Sequence, residues 1–443
     1  MTTETKAKLP GADHSAVRLR LCVWGLRLIV GGTFACSGLV KAIDPWGFIF
    51  KIEEYLAVWH LTEPRSVVLM VAMLLSGYEF VLGSLLLMGC YKRTAPWGLL
   101  ISMALMLPLS LWLWVADPIP DCGCFGDFLT ISNAATFWKN VVLTAGLILL
   151  IRWSPRLREA LFNPAIQWMV AALASLYILI VSLYGYNAQP MADFRSYPVG
   201  TQLAVASDDS EASDETDSYT FIYEKEGVQR EFSIDSLPDD SWTFVDRIAS
   251  ASAVSEATGP ENPLTVFNAD GDDATAEAFA SEGDEIVIVI PEPRRADVAY
   301  TYTLNELAAH ADSAGIAICA ILGTDAKGVA RWRDMSMAAY PCYSADETQL
   351  KELARGQIAI VLLSDGHIAS KTTLSSMDAE IIENPASTPM LLDELQGNGS
   401  AWFRYITGLF GAIVLLIYLF QGLILTLRAK IRRAYRKKAA ENS

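Results

Sequence analysis

Six long runs of apolar residues predict the architecture of this chain. They cover approximately residues 21–40, 66–89, 95–115, 134–151, 165–184 and 403–427. Uncharged apolar runs of about 18 or more residues are long enough to cross a bilayer as helices. Between the first two runs, residues 44–56 favour either a short helix in the headgroup layer or an ordinary amphipathic connector. The pattern therefore predicts an α-helical membrane protein with six spans.

The basic residues predict how these spans are oriented. Four groups of basic residues lie beside the runs. Lys6, Lys8, Arg18 and Arg20 precede the first run, and Lys92 and Arg93 lie between the second and the third. Arg152, Arg156 and Arg158 lie between the fourth and the fifth, and seven basic residues within 428–438 follow the sixth. Short cytoplasmic loops are enriched in Lys and Arg. We therefore expect a bacterial inner-membrane protein with both termini cytoplasmic and residues 186–402 periplasmic. The loop 116–133 then lies on the periplasmic side as well.

Charge divides the chain into two chemically different parts. Residues 186–402 contain 12 basic and 38 acidic side chains, whereas the remainder contains 22 basic and 12 acidic ones. Overall, 52% of the residues are hydrophobic and 19% are charged. This balance excludes a disordered or collagen-like chain. The strongly negative block also argues against a nucleic acid as the partner, since phosphates are bound by cationic surfaces.

The acidic block has a linker-like part followed by a folded part. Residues 185–261 are rich in Ser, Asp and Glu and read as a linker, with a hairpin at 219–223 and 229–234 and a second linker from 247. From 262 to 378, short apolar strands alternate with helices and end in a hairpin around Ser364-Asp365-Gly366. Alternation of this kind predicts a parallel sheet closed by a hairpin. This α/β domain resembles a thioredoxin-like fold.

The chemistry of a thioredoxin is missing from that domain. A Cys-x-x-Cys pair is expected after the strand at 285–290, where this chain has Pro291-Glu292-Pro293-Arg294-Arg295. Only Cys319, in an apolar strand, and Cys342 lie in the domain. A lone cysteine in an apolar strand is usually a small core residue. The domain is therefore expected to be degenerate, and to bind or dock rather than to catalyse.

Cys122 and Cys124 are the candidate redox pair. They lie in Asp121-Cys122-Gly123-Cys124-Phe125-Gly126-Asp127, in the loop predicted to be periplasmic, where thiols can oxidise. A Cys-Gly-Cys bridge closes a small, strained ring, and strained disulfides are easily reduced. The flanking aspartates should raise the pKa of the thiols, which weakens this interpretation. Two alternatives stay open: packing residues in a tight loop, or two ligands of a metal site without further ligands nearby.

Charged residues inside the apolar runs are a second candidate site. Arg27 in the first run and Glu79 in the second are expected at matching depth, and intramembrane charges are usually paired or functional. One interpretation is a structural Arg27–Glu79 ion pair. The sharper one is a quinone or proton site at the same two residues, which would make a quinone the only cofactor to expect. Lys41, Asp44, Glu53 and Lys139 lie near the predicted outer face, where they could surround the cysteine loop.

Residues 20–152 resemble the DoxX-like family of four-helix membrane proteins, and within it the methylamine-utilisation protein MauE group. The most specific matching segments are Asp121-Cys122-Gly123-Cys124-Phe125-Gly126-Asp127 and Trp138-Lys139-Asn140, together with Arg27, Glu79 and the segments 38–45 and 51–56. The added acidic module with its degenerate thioredoxin-like part is similar to a Bacteroidetes-type subgroup. The resemblance implies a role in extracytoplasmic thiol and disulfide handling, for instance in maturing an envelope partner.

Together these features predict seven segments. They are a cytoplasmic tail (1–20), a DoxX/MauE-like membrane domain (21–152), a fifth span (165–184), an acidic linker with a hairpin (185–261), a thioredoxin-like domain (262–378), a sixth span (403–427) and a basic tail (428–443). The expected partners are membrane lipid and a thiol-containing envelope protein. The alternative function is a non-catalytic membrane scaffold whose acidic domain docks an envelope protein.

Overall fold

The computed structural model describes residues 14–156, 160–203, 219–225, 228–233, 243–249, 263–279, 282–383, 388–395 and 399–441. The chain divides into two units. One comprises Met1–Phe194 and Asn398–Ser443, and the other comprises Arg195–Gly397. The boundary near residue 194 follows the predicted change from an apolar, basic chain to an acidic one.

Helices form the first unit. In chain order they are α1 (His14–Leu26), a π-helical segment (Arg27–Gly31), α2 (Gly32–Ile43), α3 (Pro45–Val58), α4 (Arg65–Leu87), α5 (Thr94–Ala116), α6 (Asn133–Trp153), α7 (Gln167–Asn187) and the C-terminal helix (Gly399–Glu441). Among the described residues, six helical stretches are long and apolar enough to cross a membrane. The six predicted spans and the class of multi-pass helical membrane protein are thereby confirmed.

The first span contains a π-helical segment that the sequence did not predict. It runs from Val17 to Ile43 and changes from α1 to α2 through the five-residue π-helical segment that begins at Arg27. A π-helical turn holds one extra residue per turn and often occurs at functional positions. An apolar run carries no signal for such a turn, because hydropathy is indifferent to the hydrogen-bonding pattern of the backbone.

The segment after the first span is a helix with a clear start. The Asp44 carboxylate accepts a hydrogen bond from the Gly47 amide at 2.9 Å, and Pro45 occupies the first turn of α3. Both features favour a helix N-terminus. Ile49 of α3 packs against Val68 and Ala72 of α4. The predicted helix is present, and its depth in the headgroup layer stays a prediction.

Glycines bring α2 and α4 into close contact. A Cβ atom on Gly38 would lie 2.4 Å from the Phe80 amide nitrogen and 2.5 Å from the Ser76 carbonyl oxygen. A Cβ atom on Gly83 would lie 2.4 Å from the Ala35 amide nitrogen. Small residues of this kind let membrane helices approach each other at the backbone. The crossing is antiparallel, and it brings residues near 38 of α2 opposite residues 76–80 of α4.

We expect Gly38→Ala to destabilise this crossing strongly. The added methyl group meets backbone atoms, which cannot move aside as a side chain can, so the cost should be about 1–3 kcal/mol, as for other overpacked cores. Gly32→Ala is the matched control, because its Cβ would have no heavy atom within 4 Å. Thermal unfolding in detergent should show a lower midpoint for the first variant only. Equal midpoints for the two variants would contradict the close crossing.

Two sheets form the second unit. The smaller one has the order β2-β1-β3, with β1 (Tyr219–Lys225) antiparallel to both β2 (Val228–Ser233) and β3 (Thr243–Ala249). The predicted hairpin is therefore present. The predicted linker from residue 247 overlaps the end of β3, because Asp246 and Arg247 interrupt the apolar residues of this strand.

The larger sheet has six strands in the order β4-β7-β6-β5-β8-β9. They are β4 (Val266–Phe267), β5 (Asp284–Ile290), β6 (Ala317–Leu322), β7 (Cys342–Ala345), β8 (Ala359–Ser364) and β9 (His367–Thr373). β5, β6 and β7 are parallel, and β8 and β9 form an antiparallel hairpin beside β5. The predicted parallel sheet with a closing hairpin is confirmed.

Helices accompany both faces of this sheet. They are α8 (Thr275–Ala278), α9 (Tyr300–Ala314), α10 (Ala326–Ser336), α11 (Glu347–Leu353), α12 (Ala379–Glu383) and α13 (Thr388–Leu395). Val287 and Val289 of β5 belong to one apolar core, and Ile286 and Ile288 belong to the other. A strand buried on both faces is typical of parallel sheets. α8 is a single helical turn.

The first residues of the second unit pair with the edge of the larger sheet. The amide of Gly200 donates to the carbonyl of Ile368 at 2.7 Å, and the amide of Leu203 donates to the carbonyl of Gly366 at 2.9 Å. Tyr197 is 1% exposed and packs in the same core as Ile368. The beginning of the predicted 185–261 linker is therefore part of the folded α/β unit.

Candidate functional site: the cysteine loop

The cysteine loop connects α5 to α6 and is tied down at its base. The Asn133 side chain, at the start of α6, donates to the Asp117 carboxylate at 3.0 Å and to the Ile119 carbonyl at 2.8 Å. Asp117 ends α5 with a positive φ of 43°. Asn133 is almost fully buried. These bonds place both ends of the loop next to each other at one end of the helices.

The two thiols face each other within the loop. Cys122 Sγ and Cys124 Sγ are 3.1 Å apart and form a hydrogen bond. Gly123 between them has a φ of +66°, and a Cβ there would lie 2.5 Å from Cγ of Lys51. Glycine is the residue that adopts this backbone conformation without strain. The glycine thus lets the chain reverse within three residues and brings the two sulfur atoms into contact, as the small predicted ring requires.

Side chains from α2 and α3 hold the backbone of the loop. Tyr55 donates its hydroxyl hydrogen to the Cys122 carbonyl at 3.0 Å. Ser37 Oγ lies 2.7 Å from the Cys124 carbonyl oxygen and 2.8 Å from Oε2 of Glu79. A serine hydroxyl has one hydrogen to donate, so it can serve only one of these two acceptors at a time. Ser37 therefore connects the cysteine loop to a buried carboxylate.

Asp121 pairs with a cation from α3. Lys51 Nζ is 2.8 Å from Asp121 Oδ1 and 2.8 Å from Glu54 Oε2. Asp121 Oδ2 also accepts from the Gly123 amide at 2.9 Å, which braces the turn. The sequence led us to expect that flanking aspartates raise the pKa of the thiols. Lys51 opposes this effect for Asp121, because its ammonium group lies against the Asp121 carboxylate.

Two further lysines lie on the other side of the thiols. Lys41 Nζ forms a salt bridge of 2.7 Å with Glu79 Oε2, and both side chains are only 5% exposed. Lys139 Nζ lies 4.7 Å from the centroid of the Phe125 ring, next to Cys124 in the loop. Lys139 and Lys41 both stabilise a negative charge on Cys124. The predicted grouping of Lys41 and Lys139 around the cysteine loop is therefore present.

The two cysteines differ in acidity. A hydrogen bond from the Cys122 thiol lowers the pKa of Cys124 to about 6, against the opposing effect of burial, and Lys139 and Lys41 act in the same direction as the hydrogen bond. The same hydrogen bond, together with burial, raises the pKa of Cys122. Cys122 is buried, whereas Cys124 is half-buried. The arrangement therefore makes Cys124 the more acidic thiol and keeps Cys122 protonated.

Arg27 and Glu79 do not lie at matching depth, contrary to the prediction. Glu79 pairs with Lys41, whereas Arg27 Nη2 donates to the Ser154 hydroxyl at 2.7 Å. A Cβ on Gly89 would lie 2.5 Å from Nη1 of Arg27, so Arg27 lies beyond the far end of α4. Eight residues of α4 separate Glu79 from that end at Leu87, which is about 12 Å of helix. The two residues therefore belong to different sites.

The second unit holds no cysteine pair of its own. Residues 291–295 after β5 contain no cysteine, and Lys351 forms a 2.7 Å salt bridge with Glu292 there. Cys319 packs in the core on one face of the sheet and Cys342 packs against the core on the other. Burial raises the pKa of Cys342 to about 11 and raises that of Cys319 well above its ordinary value. The raised pKa values disfavour the thiolate form that exchange requires in both cysteines.

No group of three or more His, Cys, Asp or Glu side chains among the described residues could hold a metal ion. Within that part of the chain, the cysteine loop is surrounded by lysines, which repel a metal cation. The residues around it thus suit a thiolate better than a metal ligand set.

Comparisons with known proteins agree with this picture for the membrane part. Residues 19–153 match the family described as methylamine utilisation protein MauE, and residues 218–250 match a domain of unknown function, DUF8463. The chain is thus a multi-pass membrane protein with a MauE-like domain in less than a third of its length. That domain contains Cys122 and Cys124. No curated protein matches the chain significantly.

Three solved structures are similar to part of the chain. Two are mutants of peroxiredoxin Q from Xanthomonas campestris, each 14% identical with a TM-score of 0.23, covering 29% of this chain and 91% and 90% of theirs. The third is the bacterioferritin comigratory protein of the same organism, 15% identical with a TM-score of 0.23, covering 31% of this chain and 92% of its own. At this similarity no activity is carried over to this chain.

Proposed function

We propose that this protein is a thiol–disulfide exchange component of the bacterial inner membrane, with Cys122 and Cys124 as its redox pair. The observation that carries the proposal is the 3.1 Å contact between the two sulfur atoms, with Lys41 and Lys139 acting on Cys124. A pair in van der Waals contact needs only a small movement to close a bond of about 2.05 Å. The partner is a thiol protein of the cell envelope.

The exchange conserves atoms and electrons. The Cys124 thiolate attacks one sulfur of a partner disulfide, so that a Cys124–partner bond forms, the partner's own bond breaks, and one partner thiolate leaves. Cys122 then gives its proton to that thiolate and attacks Cys124 Sγ, which releases the second partner sulfur. Two electrons pass from the cysteine pair to the partner. Run in reverse, the same steps oxidise a partner dithiol, and a second thiol–disulfide protein restores the pair.

This function depends on how the protein is oriented in the membrane, and we infer that orientation from the basic residues. Positive charges cluster at the ends of the spans that are opposite to the cysteine loop, and such loops are usually cytoplasmic. The loop and residues 186–402 are then periplasmic, where disulfides persist. The strand order and directions of the larger sheet support a thioredoxin-like fold for the acidic unit. Lacking a cysteine pair, that unit serves to dock the partner.

A quinone or proton site at Arg27 and Glu79 is no longer proposed, because the two residues lie at different depths. The scaffold alternative keeps the docking role of the acidic unit and assigns the cysteines to packing. The two functions differ in one observable property, the reactivity of the thiols in the folded protein.

Alkylation in oriented membranes tests the proposal. Spheroplasts and inverted vesicles would be treated with a membrane-impermeant maleimide from pH 5 to pH 9, before and after mild reduction, and the peptide containing 122–124 analysed by mass spectrometry. We expect a label on Cys124 to appear on reduction in spheroplasts, half-maximal near pH 6, since the thiolate is the reactive form and its pKa is lowered to about 6. Cys122, whose pKa is raised, should not be labelled in this range while the protein is folded.

Cys342 is the internal control, since burial raises its pKa to about 11 and it should react only at the alkaline end. Labelling of the 122–124 peptide in inverted vesicles alone would reverse the orientation and leave the redox pair intact. Thiols that stay unlabelled until the protein is denatured would refute the exchange function, and the scaffold function would replace it.

A further inference from the structure

The first unit contains a cavity far from the cysteine loop. Its volume is about 570 Å³, and the segment before α5, the segment before α7 and the C-terminal helix enclose it. The residues that matter for its chemistry are Lys92, Arg93, Phe162, Asn163, Gln421 and Leu425. A cavity of this size is within the range that small-molecule sites occupy.

The cavity lies at the level where several membrane-spanning helices begin or end. α4 ends at Leu87 and α5 begins at Thr94, so that Lys92 and Arg93 lie in the turn between two spans. Gln421 and Leu425 lie in the C-terminal span, just before its basic continuation from Arg428. A molecule in this cavity can therefore have one part at the membrane surface and another in the hydrocarbon layer.

The wall of the cavity combines cations with apolar groups. Among its described lining residues, two are basic and none is acidic. Lys92 is half-buried, and Phe162 is buried in the apolar core at this end of the helices. Leu425 continues the apolar part of the wall. Cations beside apolar surface at the membrane boundary match a headgroup phosphate with its attached glycerol and acyl chain.

The side chain of Gln421 fixes one wall of the cavity through hydrogen bonds. It accepts from the Asn163 amide at 2.5 Å and donates to the Leu161 carbonyl at 3.0 Å. Gln167 likewise joins the Tyr91 amide, at 2.9 Å, to the Phe162 carbonyl, at 3.1 Å. These bonds tie the C-terminal helix and the turn with the two cations to the same short segment. The cavity is thus formed before any ligand enters it.

We propose that this cavity binds the phosphate group of an anionic phospholipid, with Lys92 and Arg93 as its cationic ligands. The chemistry that is recognised is a phosphate ester, and the membrane-boundary position indicates a lipid as its source rather than free phosphate. This site is independent of the thiol function proposed above.

Native mass spectrometry of the delipidated full-length protein tests the proposal. Phosphatidylglycerol, phosphatidylcholine and inorganic phosphate would be titrated separately. Lys92→Gln/Arg93→Gln should weaken phosphatidylglycerol binding about 30-fold, corresponding to ~1 kcal/mol for each lost cation. The matched control is Arg428→Gln/Lys430→Gln, which removes two exposed cations of the C-terminal helix and should leave phosphatidylglycerol binding close to that of the wild type, because neither side chain lines the cavity.

Equal losses in both double variants would overturn the site, because they would show general charge attraction. Phosphatidylcholine binding as tightly as phosphatidylglycerol would overturn the anionic preference. This comparison uses the wild-type chain, so it remains possible even if the double variant fails to fold. Millimolar inorganic phosphate that binds alone and displaces the lipid would overturn the lipid as the source. Tight phosphatidylglycerol binding that inorganic phosphate does not displace supports the proposal.

Discussion

Replacing Cys122 with serine should trap a disulfide between Cys124 and the envelope partner. Cys124 has the lowered pKa and is the more exposed of the two, so it makes the first attack, and without Cys122 no thiol resolves the mixed disulfide. Non-reducing gels of crosslinked membranes should show at least about tenfold more mixed disulfide than wild type, since the resolving reaction normally removes it. Mass spectrometry of the band identifies the partner.

The reverse substitution is the control. Cys124→Ser leaves only Cys122, whose raised pKa keeps it protonated, so this variant should trap little. Cys122→Ala adds a sharper comparison. Serine can still donate a hydrogen bond to the Cys124 thiolate, whereas alanine cannot, so alkylation of Cys124 should require a higher pH in the alanine variant. Equal trapping by Cys122→Ser and Cys124→Ser would refute the assigned roles.

The hydrophobic pattern predicted the spans and the larger sheet because both depend on local periodicity and length. The loop chemistry could be predicted only in part. Cys122, Gly123 and Cys124 are adjacent in sequence, so their contact follows from local geometry. The contact of Lys51 with Asp121 joins residues 70 positions apart, and no local pattern contains it. This is why the sequence did not reveal the cation that opposes the effect of Asp121 on the thiols.

The error over Arg27 and Glu79 has a similar cause. Depth was counted along regular helices, whereas the register between α2 and α4 is set by close contacts at Gly38 and Gly83. Those contacts bring Lys41, rather than Arg27, opposite Glu79. The glycines were visible in the sequence, and small residues spaced along two apolar runs are a signal for a close crossing. Because charged residues within a membrane are usually paired, that signal would have favoured Lys41 as the partner of Glu79.

Lys41→Met should both destabilise the protein and make Cys124 less reactive. The variant leaves the Glu79 carboxylate buried without its cation, and breaking a buried pair in this way costs about 3–5 kcal/mol. Lys41 also lowers the pKa of Cys124, whereas Glu79 raises it. The pH of half-maximal alkylation should therefore rise above about 6 in Lys41→Met and fall in Glu79→Gln.

These opposite shifts separate an electrostatic role from a merely structural one. A variant that only loosens the fold would change both alkylation midpoints in the same direction. The double variant Lys41→Met/Glu79→Gln should recover much of the lost stability, because neither buried charge is left alone. Removing the ion pair of Arg65 and Glu53, at 3.1 Å and more exposed, is the matched control and should leave the alkylation midpoint unchanged. If Lys41→Met and Glu79→Gln shift the midpoint together, the ion pair supports the helices and does not tune Cys124.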